Sequence, residues 1–329
     1  MGSKRLTFTA LLIGCFSSWN VTIVQAGTPN QDFDAQAKLD SQMIADSLNR
    51  SFANSAGFFA SLGWNNPSCG FESATGTRME LGLDFGSDFI SFPFFSSLPL
   101  GALSGPAIVH MPVNLPALYP AIMGRITLFN RFDLGVRLTY LPVVTFYDTN
   151  ITTNFIGYGL NTRLRILQGE GLPDLSLGLS WDNQNGNFSL VSEADQNSTY
   201  KDPTDGLTYN ATVAGRTFYS MNWDVKSFGI KMVLGKNLGF VYPFIALGLQ
   251  AHSGTISSKL SGSVTETLSG PPGGGTSNPD ITASSSGSPI YSEPQYAIGI
   301  DSGGSFHWTL VGQSNGTDVA ISMGFHTQY

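Results

Sequence analysis

Val319-Ala320-Ile321-Ser322-Met323-Gly324-Phe325-His326-Thr327-Gln328-Tyr329 is the stretch that decides the fold. Val319, Ile321, Met323 and Phe325 alternate with Ala320, Ser322, Gly324 and His326. Successive side chains of a strand point to opposite faces, so one face here is apolar and the other is small or polar. One face can meet lipid and the other cannot.

The same period of two recurs upstream. Met79, Leu81, Leu83 and Phe85 alternate with Arg78, Glu80, Gly82 and Asp84, and Phe132, Leu134, Val136, Leu138 and Tyr140 with Asp133, Gly135, Arg137 and Thr139. Ile156 to Ile166 and Leu175 to Trp181 repeat the pattern. Tyr219, Met221, Trp223 and Val225 share a face that Phe228, Ile230, Met232 and Leu234 continue one residue out of phase, so a β-bulge is expected near Lys226 and Ser227. Connections alternate in length. Asn130-Arg131, Gly169 to Pro173, Gly235 to Gly239 and Ser302 to Ser305 are short, whereas Phe92 to Pro120, Asp182 to Leu207 and His252 to Ser292 are long. Segments of about ten alternating residues with short turns at one end and longer loops at the other are expected of a membrane barrel. The expectation is an all-β fold, an antiparallel up-and-down transmembrane β-barrel of about ten strands, with twelve as the alternative.

Composition agrees. Charged residues make up 12% of the 329 residues, about half the usual share of a soluble domain, while glycine reaches 38. The net charge of −7 gives nucleic acid no electrostatic support. Lys4 and Arg5, the apolar run Leu6 to Phe16 and Val24-Gln25-Ala26 read as a signal peptide over 1–26. Leu12-Ile13-Gly14-Cys15 offers a rival reading in which Cys15 is lipidated. Cys69 is the only other cysteine, so neither a disulfide framework nor a cysteine metal site is expected.

Within 27–76 the spacing of Leu39, Met43, Ile44, Leu48 and Phe52 is helical, which predicts an amphipathic helix serving as a periplasmic cap or a lumen plug. The barrel is assigned to 77–329, with 253–291 as a long flexible loop because Gly, Ser, Thr and Pro dominate it.

Alternation, turn parity and the closing aromatic together resemble Gram-negative outer-membrane β-barrels. That resemblance implies location in the bacterial outer membrane, contact with its lipid, and recognition of Phe325 and Tyr329 by the barrel-assembly machinery. The apolar face placed outward puts Arg78, Glu80, Asp84, Arg125, Asp133, Arg137, Arg163, Arg165, Asp224 and Lys231 in the lumen. A salt-bridge network filling a narrow barrel and an anion-attracting passage both fit that set. Phe240, Tyr242 and Phe244 are expected to face inward, as a dock for the helix or a contact for an apolar ligand.

Catalysis has little support. His110, His252, His307 and His326 are scattered, with no HExxH and no GxSxG, and the pairing of His252 with Ser253 near the rim is the one candidate for a hydrolase. Asn-x-Ser/Thr triplets at Asn150, Asn187, Asn197 and Asn315 fit a chain rich in these residues. No catalytic residue, metal or cofactor is expected. The function expected is a small channel or transporter for an anionic or hydrophobic solute; the alternative is a filled barrel that acts structurally or through its external loops.

Overall fold

The computed structural model describes residues 29–62, 77–91, 114–146, 151–168, 172–201, 206–270, 275–278 and 280–329. The signal peptide, Cys15, Cys69 and Asn150 lie outside the described residues. Among the described residues one helix, α1 (Pro29–Ala60), precedes twelve strands. These are β1 (Arg78–Ser91), β2 (Asn114–Leu128), β3 (Phe132–Phe146), β4 (Ile151–Leu167), β5 (Asp174–Lys201), β6 (Thr208–Gly235) and β7 (Val241–Ser269), then β8 (Gly275–Ser277), β9 (Asp280–Gly287), β10 (Ser292–Ser302), β11 (Phe306–Ser314) and β12 (Val319–Gln328).

Every pairing is antiparallel, and all but three join chain neighbours, β9 being one exception because it skips β8 to pair with β7. β12 returns to β1, and β7 pairs with β10. Since β8 and β9 pair only with β7, the remaining ten strands close on themselves. Within the ten-strand ring every strand has a partner on both sides, the condition for crossing hydrocarbon as a sheet.

The outward face carries the apolar residues read from the sequence. Met79 is 54% exposed, Leu134 45%, Leu177 38% and Ile321 53%, so these side chains ring the outside instead of meeting in a core. The strands β10, β11 and β12 contain 11, 9 and 10 residues, the length of a tilted membrane-crossing strand. The fold is thus a transmembrane antiparallel barrel of ten strands.

Three strands run much further. β5 and β6 have 28 residues each and β7 has 29, so a sheet projects beyond the belt at the long-loop end. The stretch expected to be a flexible loop over 253–291 belongs to this sheet: β7 continues to Ser269 and β9 returns beside it, with Ile256↔Gly287 and Ser263↔Asp280 in register. Composition misled here. Among the serines and glycines, Ile256, Leu260, Leu268, Ile281 and Ala283 are buried on one face, which is alternation enough for a strand that has a partner to cover it. Gly254, with φ +141, sits where β7 exchanges β10 for β9 as its neighbour, a conformation that favours glycine.

The bulge expected near Lys226 and Ser227 is absent. β6 keeps one register against β5 and against β7 along its length. What changes is the polarity of the faces. Phe228, Ile230, Met232 and Leu234 point out into the belt, whereas Tyr219, Met221, Trp223 and Val225 point in and are buried. Above the belt the outside is water and the inside is filled by α1, so the apolar residues switch faces without any slip of the ladder.

An arginine placed in the belt, Leu134→Arg, is expected to destabilise the barrel by about 2 to 4 kcal/mol. Lys226→Ala, on the outward face above the belt, should change it by less than about 0.5 kcal/mol. Urea midpoints in bilayers, read from the unboiled mobility of the folded barrel on gels, measure both.

Candidate functional site: a lumen filled by a helix and an ion-pair network

The helix enters the lumen from the long-loop end. Its first half lies along the projecting sheet, where Ser258 Oγ donates to the Ala45 carbonyl (3.2 Å) and Gln42 Nε2 to the Ser284 carbonyl (2.8 Å). Ala37, Ile44, Ala45, Leu48, Phe52, Ala56 and Phe59 form the stripe that faces the wall, and from Ser55 to Leu62 every residue is buried. Leu39, assigned to this stripe from its spacing, points away and is 61% exposed.

Aromatic rings of the wall receive the helix. Phe52 lies 5.0 Å from Trp223 between ring centroids, and Phe59 meets Phe155 edge-on at 5.3 Å and Tyr119 at 6.5 Å. Each large apolar side chain buried this way contributes about 1.5 to 3 kcal/mol. Small residues set the depth. Gly57 lies against the ring of His252, where an added Cβ would come within 2.6 Å of ring carbons.

Polar contacts hold the rest. The Ile290 amide donates to the Ala53 carbonyl (3.3 Å) and Gln295 Nε2 to Ser61 Oγ (2.9 Å). At the foot of α1, Arg137 Nη2 donates to the Ala60 carbonyl (3.0 Å) and to Asp182 Oδ1 (2.7 Å). A helix C-terminus exposes acceptor carbonyls and the negative end of the backbone dipole, so a guanidinium is a suitable cap.

Below Arg137 the lumen is charged. Arg163 Nε donates to Asp133 Oδ2 (2.7 Å) and its Nη2 reaches the same oxygen, while Arg165 lies 4.0 Å from Oδ1. Arg125 stands 3.6 Å from Glu80. His326 places Nδ1 3.1 Å from Glu80 and Nε2 3.3 Å from Asp84, and its ring stacks on His307, which bonds Asp301 (2.9 Å). Arg78, at the short-turn rim, donates to Asn130 (3.3 Å), and Lys231 is buried in the wall.

Nine of the ten charged residues expected to face the lumen therefore do so. Asp224 does not. It lies on the outward face of β6, above the belt, because the polarity switch described for that strand turns its neighbours Trp223 and Val225 inward. Of the aromatic trio, Tyr242 and Phe244 are buried with Val233, Ala246 and Val311, but Phe240 is 80% exposed in the β6–β7 turn. The helix does not dock there: its cluster at the other end of the lumen is separate from theirs.

The pairing of His252 with Ser253 fails as well, since Ser253 is exposed and His252 is buried in the lumen. His252 instead faces Ser227 Oγ at 2.7 Å and Glu293 at 3.0 Å, with Asn315 donating to the other Glu293 oxygen (2.7 Å). Gly57 lies against the His252 ring, and this chain of groups fastens β6, β7 and β10 to one another. Asp182, Ser227 and Glu293 are the buried hydrogen-bond partners missed in the sequence. Parity along β5 was a signal for Asp182, which shares its face with Ser176 and Ser180.

No protein-family model and no curated protein matches the chain. Solved structures resembling it are membrane barrels. The toluene transporter TbuX of Ralstonia pickettii aligns at 9% identity over 78% of this chain and 89% of its own, with a TM-score of 0.24. A Pseudomonas aeruginosa FadL homologue aligns at 8% over 87% and 98% (TM-score 0.26). The translocator domain of the autotransporter NalP from Neisseria meningitidis aligns at 9% over 77% and 88% (0.29). Superposition this loose does not establish a common fold, and the architecture rests on the hydrogen-bonded ladder itself.

Gly57→Leu overfills the seat of α1 by about 1 to 3 kcal/mol. Amide exchange across 44–60 should accelerate about tenfold or more while the barrel strands stay protected. Asp318 supplies a pH dependence. Burial raises its carboxyl pKa above 3.8, hydrogen bonds from Ser55 and Asn315 oppose the shift, and the Glu293 charge adds to it. A raised carboxylate costs the folded state most above its shifted pKa, and the cost disappears below the ordinary value. The helix should therefore seat more tightly as pH falls from 7 toward 4, and Asp318→Asn should remove Asp318's share of that dependence, which amide exchange at both pH values measures.

Proposed function

We propose that the chain is a bacterial outer-membrane β-barrel whose lumen is a passage for a small solute, closed in this state by α1. The observation that carries this reading is the hydrogen bond from Arg137 to the Ala60 carbonyl, which ends the helix on a lumen cation. Hydrogen bonds and side-chain packing seat α1 over its described length. Its withdrawal uncovers an upper chamber walled by Phe155, Phe188, Tyr219 and Trp223, and leaves Arg137 with one acceptor fewer. A small apolar molecule carrying an acidic group matches both parts: its body replaces the rings of α1 and its carboxylate replaces the carbonyl.

A second reading follows from the projecting sheet. The extensions of β5, β6 and β7, joined by β9, give a surface well beyond the belt, as a barrel acting through its exterior requires.

Conductance in planar bilayers separates the two. A bond from a buried charged donor is worth about 1.5 to 3 kcal/mol, so Arg137→Ala should raise the open fraction tenfold or more and weaken preference for anions over cations. If Arg137→Ala and Gly57→Leu are both folded and both silent, the passage is refuted and the surface reading stands.

A further inference from the structure

On the lipid-facing side, near the short-turn end, the wall of β6, β7, β10 and β11 is hollowed into an apolar groove of about 630 Å³. Leu234, Ile245, Ile298, Ile300 and Leu310 form its sides, and all five are exposed on the outer face. Its floor is low because Pro243 and Gly312 stand where neighbouring strands carry branched side chains. An added Cβ at Gly312 would touch only Ile298, at 3.8 Å from Cγ2 and 4.0 Å from its carbonyl oxygen, so the hollow is open space and not the imprint of a buried contact.

One cation lines the groove. Lys236 opens the β6–β7 turn, where its amide donates to the Pro243 carbonyl (3.1 Å). The same turn is fixed by the Leu238 amide on the Val241 carbonyl (3.0 Å) and by the Gly239 amide on Asn237 Oδ1 (2.8 Å). It exposes Leu238 (54%) and Phe240 (80%), apolar side chains that belong at the boundary of a bilayer and set Lys236 at headgroup depth.

We propose that this groove is a binding site for an anionic glycerophospholipid of the leaflet on the short-turn side, with an acyl chain along the hollow and the phosphate on Lys236. The proposal rests on the reading that the barrel spans a bilayer, and not on any role of α1. An ammonium near the membrane surface is worth about 1 kcal/mol toward an anionic headgroup, roughly fivefold in affinity. A chain lying in the hollow fills space that the ring of belt residues leaves open.

The test uses the full chain in nanodiscs of phosphatidylglycerol and phosphatidylcholine in equal parts, released into mild detergent and weighed by native mass spectrometry. The parent should retain one phosphatidylglycerol about five times as often as one phosphatidylcholine. Lys236→Gln should bring that ratio to about one, with total retention reduced. Gly312→Leu, which fills the floor from the outside, should lose both lipids. Equal retention of the two lipids by the parent, or unchanged retention in both variants, overturns the proposal. Each variant is first checked for folded-barrel mobility without boiling, and a parent that fails this check in nanodiscs refutes the bilayer reading instead.

Discussion

The apolar stripe of α1 has to be covered, and the upper lumen is built around that requirement. In a bare barrel the apolar side chains of every strand face outward, and the interior is polar. Here the rule holds only along the belt. Where Phe52 meets Trp223 and Phe59 meets Phe155, the wall turns its rings inward and presents Asp224 and Lys226 to water. One ladder, without a slipped residue, thus serves two environments stacked along the barrel axis. Below that level, among the described residues, the interior returns to carboxylates and guanidinium groups.

Most of the architecture was legible because lipid enforces a period of two. Met79, Leu134, Leu177 and Ile321 could be placed on the apolar faces from spacing and turned outward by the membrane reading, and the short connections after Leu128 and Gly235 set the turns. The places where reading failed share one physical cause. Periodicity tells which residues share a face and never which face is inside. At Tyr219 to Val225 the strand meets water outside and a helix inside, so the usual assignment inverts, and a bulge was inferred to rescue it. In Ile256 to Leu268 the alternating residues were diluted by serine and glycine, and their meaning appears only once α1 and β9 are beside them. The lumen charges were legible for the same reason that the belt was; their partners were not, because Asp182 meets Arg137 through the register of β4 with both neighbours and Glu293 meets His252 through the pairing of β7 with β10, and spacing gives neither.

The ion pairs are better understood as filling than as affinity. Bringing Asp133, Arg163 and Arg165 out of water carries a desolvation cost that their mutual attraction offsets only when geometry is good, and removing one partner from such a set is far worse than never having had it. Pairing within the lower lumen therefore keeps a narrow polar interior from collapsing or swelling with water. Arg137 has both a carboxylate and a backbone carbonyl of α1 as acceptors. It is the point at which the lower network and the helix are one structure, so a change in either is felt by the other.

The direction of the chain decides where an opening signal can act. α1 begins at the projecting sheet and ends on Arg137, while β1 begins at the short-turn rim, so the helix is threaded with its first half toward the long-loop end. From Ser55 onward it is buried and offers nothing to grasp. The exposed residues Lys38, Leu39 and Gln42 belong to the first half, which lies against the projecting sheet, and Arg50 and Asn54 are the exposed positions beyond it. An event that frees α1 at Ser258 and Ser284 shortens the seated segment turn by turn toward Arg137, and each turn released exposes another ring of the upper chamber. The same motion pushed from the short-turn end would first have to break the Arg137 contact inside a charged layer. In the proposed passage, control therefore belongs to the long-loop side, and the ion pairs below act as the stop against which the helix rests.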